Sequence, residues 1–421
     1  MGVEAPLRAA AGDGDTPAGG ARRNALENAA RWLAVASCAA LPLPIATLSI
    51  CTGLFAVAWL LSGLQAGNFA MRWRRIRTHP VARAALALFA WIAVAMLWSP
   101  APWRASVDAW WHYRGLLLLA VALSIVEEPA WRWRAIVAFL GGFALALAVS
   151  YLRRLGVLPL YDHGGRYSGF CGHAGFSLML ALVAYTMLWL WRVRPRQRAI
   201  WVVYGIAALF NLYFINDGRT GQVAFLALLP LAAVHLFSMR GLAFGAIAAV
   251  VLAVGVYETA PRFRQRMDQS ASDIRGFEER GDPLTVEGQR LSFIRNTRTL
   301  ILSHPWLGGG TGSFIYEYAR LGPRLDPPNS LVTHNPHNDY LMIWSQQGLP
   351  GLALLFWLWA SQWRYASRKP EAPRYLTYGL MLLIAIGGLV NSFLLDTLES
   401  HIYALLTVAF GDAWPRSDSS A

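Results

Sequence analysis

The stretch "GQVAFLALLPLAAVHLFSMRGLAFGAIAAVVLAVGVY", Gly221 to Tyr257, decides the fold class of this chain. Arg240 is its only charged residue, and it separates two apolar segments that each approach the roughly 20 residues a helix needs to cross a bilayer. The whole chain has 421 residues, of which 56% are hydrophobic and 14% charged. A soluble domain has about 25% charged residues. The sequence therefore predicts an all-α polytopic integral membrane protein.

Apolar segments of this kind recur outward from the opening stretch in both directions. The break "LPLP" at Leu41–Pro44 separates the first two of them, although one kinked helix would also fit there. About twelve transmembrane helices are predicted, at residues 32–45, 46–64, 84–99, 115–127, 135–152, 172–190, 199–216, 221–237, 241–257, 338–360, 375–394 and 400–413.

The distribution of basic residues predicts how these helices are oriented. With twelve spans, 21 of the 37 Lys and Arg residues fall in the segments on one side, and six fall in the short loops on the other. The remaining ten lie in residues 258–336, a segment too long for the positive-inside rule. Both termini are therefore expected in the cytoplasm, and the long segment outside it. Because the basic residues flank apolar spans, the net charge of +13 does not indicate a nucleic-acid partner.

The predicted organisation divides the chain into five parts. Within the long loop, "VEGQRLSFIRNTRTLILSHPWLG" predicts an amphipathic helix ended by His304-Pro305, and a shorter helix is expected to begin near Ser313. The parts are a disordered cytoplasmic tail at 1–31, nine transmembrane helices at 32–257, one large periplasmic loop domain with short helices at 258–336, three more transmembrane helices at 337–413, and a cytoplasmic tail at 414–421.

A polar cluster opens the tenth span, at "HNPHNDYLMIWSQQGLPGL", His334 to Leu352. Asn335-Pro336 reads as a helix start, with Asn335 as the N-cap, so that His337 and Asn338 would occupy the first turn. A neutral imidazole at the outer membrane boundary can act as a general base. Simple capping of a membrane helix remains the alternative for the polar residues of this stretch.

Other polar side chains are expected at the same outer boundary. Arg219 lies in a very short turn, "NDGRTGQ", Arg290 lies on the amphipathic loop helix, and Arg166 lies in a glycine-rich turn. Each also has a simpler interpretation, as an interfacial arginine, a solvated face or a plain turn. The sequence lacks HExxH and CxxC motifs, and its three cysteines are not spaced as metal ligands, so a metal site is not expected. Guanidinium groups suit a lipid-linked diphosphate sugar, whose leaving group needs no general acid.

The segments "GQR…SHPWLGGGTGSF" and "PHNDYLMIWSQQGLPGL" resemble the O-antigen ligase and polymerase superfamily (WaaL/Wzy type). The resemblance covers residues 150–400. The "GRTG" turn at Gly218–Gly221 is similar to an arginine turn of that family. Gln346 stands where the family often has Glu. The matching residues are Arg290, His304-Pro305, Gly308, Gly310, Phe314, His337-Asn338, Tyr340-Leu341, Gly348-Leu349 and Gly351-Leu352.

The resemblance implies a metal-independent, inverting glycosyltransferase with a GT-C-type fold in the bacterial inner membrane, without cofactors. Its donor would be a glycan on undecaprenyl diphosphate, and in ligases the acceptor is a sugar hydroxyl of lipid A-core. His337 would then be the base at the periplasmic face, and Arg219 and Arg290 would hold the diphosphate. Asn338, His334, Arg166 and Tyr340 would support them. An O-antigen polymerase, a protein O-oligosaccharyltransferase and a membrane solute transporter remain alternatives.

Overall fold

The computed structural model describes residues 17–161, 165–325 and 332–411. Helices and the turns between them make up these ranges, and no strand occurs in them. The helices are α1 (Pro17–Ala40), α2 (Ile45–Ala66), α3 (Phe69–Thr78), α4 (Pro80–Val94), α5 (Trp103–His112), α6 (Arg114–Leu123), α7 (Pro129–Arg154), α8 (His173–Val193), α9 (Arg198–Phe210), α10 (Arg219–Phe237), α11 (Gly241–Thr259), α12 (Pro261–Arg280), α13 (Val286–Ser303), α14 (Phe314–Leu325), α15 (Asp339–Ser367), α16 (Glu371–Val390) and α17 (Thr397–Phe410).

Eight helical segments of the described residues are long and apolar enough to cross a membrane. The longest of them, 219–259, contains α10 and α11. The chain turns back at Ser238–Arg240, and α11 packs so closely on α10 that a Cβ on Gly245 would lie 2.5 Å from Pro230 Cα. The apolar composition thus produces a multi-pass helical bundle, as predicted.

Twelve spans were predicted, whereas eight segments are long and apolar enough to cross a membrane, and one of these contains two of the predicted spans. Each of the twelve predicted spans overlaps a helix, but three of them fall in α1, α6 and α17, which are short or carry charged residues. With 14 residues, α17 is only about 20 Å long, less than the roughly 30 Å of hydrocarbon. Its residues from Leu398 to Phe410 are all buried, so α17 lies inside the bundle. Twelve crossings stay a prediction.

Ion pairs connect turns that the charge distribution places on the same side. Arg75 Nε lies 3.0 Å from Glu127 Oε1, and Arg192 Nη1 lies 2.9 Å from Glu371 Oε1. All four residues belong to, or flank, turns predicted to be cytoplasmic. At the other end of the bundle, Arg114 donates to Thr397 Oγ1 over 2.9 Å. These three contacts agree with the predicted grouping of the turns, whereas the topology as a whole and the side that faces the cytoplasm stay predictions.

Helix α1 extends into the predicted N-terminal tail. Residues 17–31, expected to be disordered, form the first part of this helix. Arg31 explains the difference, because its guanidinium lies 2.7 Å from Glu27 one turn earlier and 3.4 Å from Glu128 at the start of α7. The first ion pair lies within α1, and the second connects α1 to the start of α7. The rest of the predicted tail, 1–16, and the end of the chain, 412–421, lie outside the described residues.

The loop between α11 and α15 contains three helices, two of which were predicted. The amphipathic helix is α13, capped by Thr285 Oγ1, which accepts from Gly288 N over 3.1 Å, and the shorter helix is α14. Helix α12 was missed, although the sequence signals it with Pro261 in its first turn and Gly281 after its end. Phe293, Phe314 and Met342 form a small core that fixes α13 and α14 on α15. Residues 326–331 of the loop lie outside the described ranges.

A break in α15 receives the glycine-rich turn that follows α13. Gly348 has φ 65° and ψ −166°, which interrupts the helix and leaves carbonyl groups of its preceding turn without helical partners. Gly309 N donates to Ser345 O over 2.8 Å, and Gly310 N donates to Gln346 O over 2.9 Å. The motif "GGGTG" is therefore a backbone interlock between the loop domain and the membrane helix.

Gln346 also closes this interlock with its side chain. Its Oε1 accepts a hydrogen bond from Gly312 N over 2.5 Å. Gln347 adds a second side-chain contact, because its Nε2 donates to Thr311 Oγ1 over 3.0 Å. A glutamate at position 346 has the same acceptor oxygen, which explains why either residue type fits this place in the turn.

We expect Gly348→Ala to lower the free energy of unfolding by about 2–4 kcal/mol. Its backbone conformation is nearly restricted to glycine, and an added Cβ would clash with Trp306 O and Leu307. The control is Gly281→Ala, where φ is +66° but no atom lies within 4 Å of the added Cβ. Thermal unfolding in detergent should show a clearly larger loss for Gly348→Ala, and equal losses in the two variants would contradict the interlock.

Candidate active site

His337 lies in the turn that leads into α15, not in the helix itself. The helix begins at Asp339 with Asn338 as its N-cap, since Asn338 Oδ1 accepts from Leu341 N over 3.0 Å. The predicted start at Asn335-Pro336 is therefore wrong by three residues. Asn335 is used differently, because its Oδ1 accepts from His337 N over 2.7 Å and from Ser392 Oγ over 2.6 Å. This turn holds His337 at φ 54°, an uncommon conformation for a residue other than glycine.

The ring of His337 is oriented by two neighbours. Its Nδ1 lies 3.1 Å from Oδ1 of Asn391, which follows α16. An amide oxygen only accepts hydrogen bonds, so Nδ1 carries the proton and the lone pair of a neutral ring lies on Nε2. Phe293 of α13 stacks on the ring, with 6.1 Å between centroids. Asn391 and Phe293 thus fix the orientation of the imidazole.

Arg219 and Arg290 come together around one carboxylate. Arg219 Nη1 lies 2.5 Å from Glu287 Oε1, and Arg290 Nη1 lies 3.7 Å from Glu287 Oε2. Ser270 of α12 accepts a further hydrogen bond from Arg219. Burial lowers the pKa of the Arg290 guanidinium from its ordinary value, and Arg219 also lowers it, whereas Glu287 raises it. The side chains of Arg219 and Arg290 remain 27% and 38% exposed, which leaves donors accessible to an anion.

Helix α13 connects the arginine pair to the imidazole. Arg290 and Phe293 are three residues apart on α13, so their Cβ atoms are separated by about 5–6 Å. Phe293 contacts His337, and Glu287 and Arg290 contact each other one turn earlier on the same helix. Arg219 of α10 and His337 therefore both contact residues of α13, the helix that carries Arg290, at the end of the bundle with the loop domain.

Asp396 acts on the imidazole electrostatically from another element. It lies in the turn before α17, where burial raises the pKa of its carboxyl group and the nearby His337 and His112 lower it. The sequence shows Asp396 only as a polar residue in the turn "LLDTLESH".

The predicted supporting residues have mainly structural contacts. Asn338 Nδ2 donates to Leu389 O, and Tyr340 Oη donates to Ala385 O, both over 3.0 Å, so these residues bind α15 to α16. His334 and Arg166 are exposed. Among the described residues, no three or more His, Cys, Asp or Glu side chains form a cluster that could hold a metal ion.

Sequence reasoning missed Glu287 and Asn391. Glu287 precedes Arg290 by three residues on a predicted helix, and this spacing is a usable signal for an ion pair. Asn391 has no local signal, because its contact with His337 spans 54 residues of chain.

The described chain is thus a multi-pass helical protein whose polar site is formed at one end by a loop domain. Residues 204–356 match the family model Wzy_C, described as O-antigen ligase. The matched segment contains Arg219, Glu287, Arg290 and His337, and it supports a place in the O-antigen ligase and polymerase superfamily. None of the curated proteins compared with the chain matches it.

Proposed function

We propose that this protein is an O-antigen ligase. It would transfer a glycan from undecaprenyl diphosphate to a sugar hydroxyl of lipid A-core, at the periplasmic face of the bacterial inner membrane. The observation that carries the proposal is the arrangement along α13, where the ring of His337 lies beside Phe293 and two arginines flank Glu287. The family match over residues 204–356 supports the same chemistry.

The proposed reaction needs one base and one anion site. His337 Nε2 removes the proton of the acceptor hydroxyl while its oxygen attacks the anomeric carbon of the donor sugar. The bond from that carbon to the diphosphate oxygen breaks, and undecaprenyl diphosphate leaves with the electron pair. Attack from the face opposite the leaving group inverts the anomeric centre. Arg219 and Arg290 stabilise the charge that develops on the diphosphate, and no metal ion is required.

Transfer between purified components tests this proposal. The purified protein is given undecaprenyl diphosphate-linked glycan and lipid A-core in the presence of EDTA, and glycan-bearing lipid A-core is the expected product. Parallel reactions offer a second molecule of lipid-linked glycan or a peptide rich in Ser and Thr. Product with the second lipid-linked glycan but not with lipid A-core would favour a polymerase. Product with the peptide but not with lipid A-core would favour a protein O-oligosaccharyltransferase, and either result would overturn the ligase proposal.

Asn391→Ala should lower kcat about tenfold, because the ring of His337 loses the hydrogen bond that fixes its tautomer. Asn391→Asp keeps an acceptor for the Nδ1 proton and should recover most of the rate near neutral pH. Its carboxylate raises the pKa of the imidazole, so the acidic limb of the kcat profile should move to higher pH. Rate profiles from pH 5 to 9 distinguish the variants, and an unchanged kcat in Asn391→Ala would remove Asn391 from the site.

A further inference from the structure

A second cavity, separate from the arginine pair, opens between α2, α5, α6 and α17. Its volume is about 490 Å³. Thr52, Gly53 and Ala56 of α2 line one side, and the small size of these residues leaves the space open. A Cβ on Gly53 would meet no atom within 4 Å. We call this cavity the α2–α6 groove.

The α2–α6 groove is apolar at one end and polar at the other. Leu117 and Val121 of α6 line the part that runs into the bundle. At the end where α6 and α17 begin, the groove is lined by Asp108, His112 and Arg114, and Arg114 donates to Thr397 Oγ1 over 2.9 Å. A cavity with this division fits an amphiphile whose chain lies in the groove and whose head lies at the outer boundary.

The polar end of the groove lies beside the candidate active site. Asp396 directly precedes Thr397 of the groove wall, and it interacts electrostatically with both His112 of the groove and His337 of the site. Arg219, Glu287 and Arg290 lie on α10 and α13, which do not line the groove. The arginine pair and the groove therefore reach His337 from different elements of the fold.

The chemistry of the polar end favours a sugar-bearing lipid head over a diphosphate. Asp108 and Thr397 offer oxygen atoms, His112 offers an imidazole, and the half-exposed Trp111 offers an indole face, all of which suit sugar hydroxyls and ring faces. Arg114 provides a single guanidinium for one phosphate group. The paired guanidinium groups that suit a diphosphate are on the other elements.

We propose that the α2–α6 groove binds an acyl chain of the acceptor glycolipid and presents its sugar head to His337. This inference rests on the proposed function, since it assigns a place to the second substrate of the same reaction. The polyprenyl chain of the donor and an ordinary phospholipid are the competing occupants, and the experiment separates them.

The test fills the groove at Gly53. Gly53→Leu places a side chain in open space on a helix, and Gly255→Leu makes the same change on α11, where a Cβ also meets no atom within 4 Å. In Gly53→Leu, we expect KM for lipid A-core to rise about tenfold or more with KM for the lipid-linked donor unchanged. Gly255→Leu should match the unmodified protein in both constants. A rise in the KM for the donor alone would assign the groove to the polyprenyl chain. No change in either KM would assign the groove to bulk lipid. Either result overturns the proposal.

Direct binding separates this inference from the proposed function. Binding of fluorescent lipid A-core to protein in nanodiscs needs no transfer, and Gly53→Leu should weaken it about tenfold relative to Gly255→Leu. If the unmodified protein binds this lipid, Gly53→Leu weakens the binding and no transfer occurs, the ligase proposal fails and the groove remains a binding site for the lipid. Equal binding by the two variants overturns the groove assignment whatever the transfer assay shows. His112→Gln, at the polar end, should weaken binding in the same direction if Gly53→Leu does not fold.

Discussion

Replacing His337 with alanine should lower the transfer rate by about 10²- to 10⁴-fold, the range of a general base. The loss should appear in kcat, because the arginine pair that would hold the donor is on α10 and α13 and does not depend on the imidazole. Binding of the lipid-linked donor should therefore stay close to that of the unmodified protein. The measurement is transfer to lipid A-core together with donor binding on the same preparation.

The conformation of His337 determines which variants make this experiment decisive. Since φ is 54° there, alanine adds backbone strain to the loss of the base. Asparagine tolerates this conformation better, so His337→Asn should fold normally and still lose the rate. His304→Ala removes an exposed imidazole at the end of α13 and serves as the control. Full transfer activity in both His337 variants would remove the base assignment.

Replacing Arg219 or Arg290 with alanine should lower kcat/KM about 10²- to 10³-fold, the magnitude typical of a lost transition-state anion contact. Both donor binding and kcat should fall, since a diphosphate is bound in the ground state and gains charge as the bond breaks. Lysine should restore only part of the loss, because it lacks the planar fork of arginine. Arg298→Ala is the matched control, as it removes the same charge from an exposed position of α13.

The shared carboxylate of Glu287 makes the two arginine changes interdependent. Both guanidinium groups contact Glu287, so the double variant should lose less than the product of the single losses. Independent, multiplicative losses in the double variant would contradict a common anion site. An equal loss in Arg298→Ala and Arg290→Ala would show that only the overall charge of the loop domain matters.

The sequence predicts the parts of this fold that depend on local composition. Apolar runs place the helices, and the amphipathic spacing between Val286 and Ser303 predicts α13. The predicted start of α15 was wrong because two asparagines compete to cap the helix. Asn335 Oδ1 accepts instead from His337 N and from Ser392 Oγ, so Asn338 caps the helix. The contact with Ser392 joins residues 57 positions apart, so no local pattern contains it.

The candidate site, too, could be predicted from the sequence only in part. Arg219, Arg290 and His337 were predicted from their positions at span ends and on the loop helix, and from motifs that resemble a family. In the structure Arg290 lies on α13, and Arg219 and His337 contact residues of that helix. Asn391 and the α2–α6 groove depend on how α16, α17 and α2 pack, which a single sequence does not specify. The glycine motif was visible in the sequence, but its role required the break at Gly348, because an intact helix offers no free carbonyl groups to a turn.

The interlock at Gly348 determines how substrates can reach His337. Gly309 and Gly310 donate main-chain hydrogen bonds to main-chain carbonyl groups of α15, so the turn after α13 is tied to α15 just before its break. Moving the loop domain away from the membrane would have to break these bonds. Both lipids are therefore expected to arrive sideways, by diffusion within the plane of the bilayer, while the sugars they carry remain in the surrounding water.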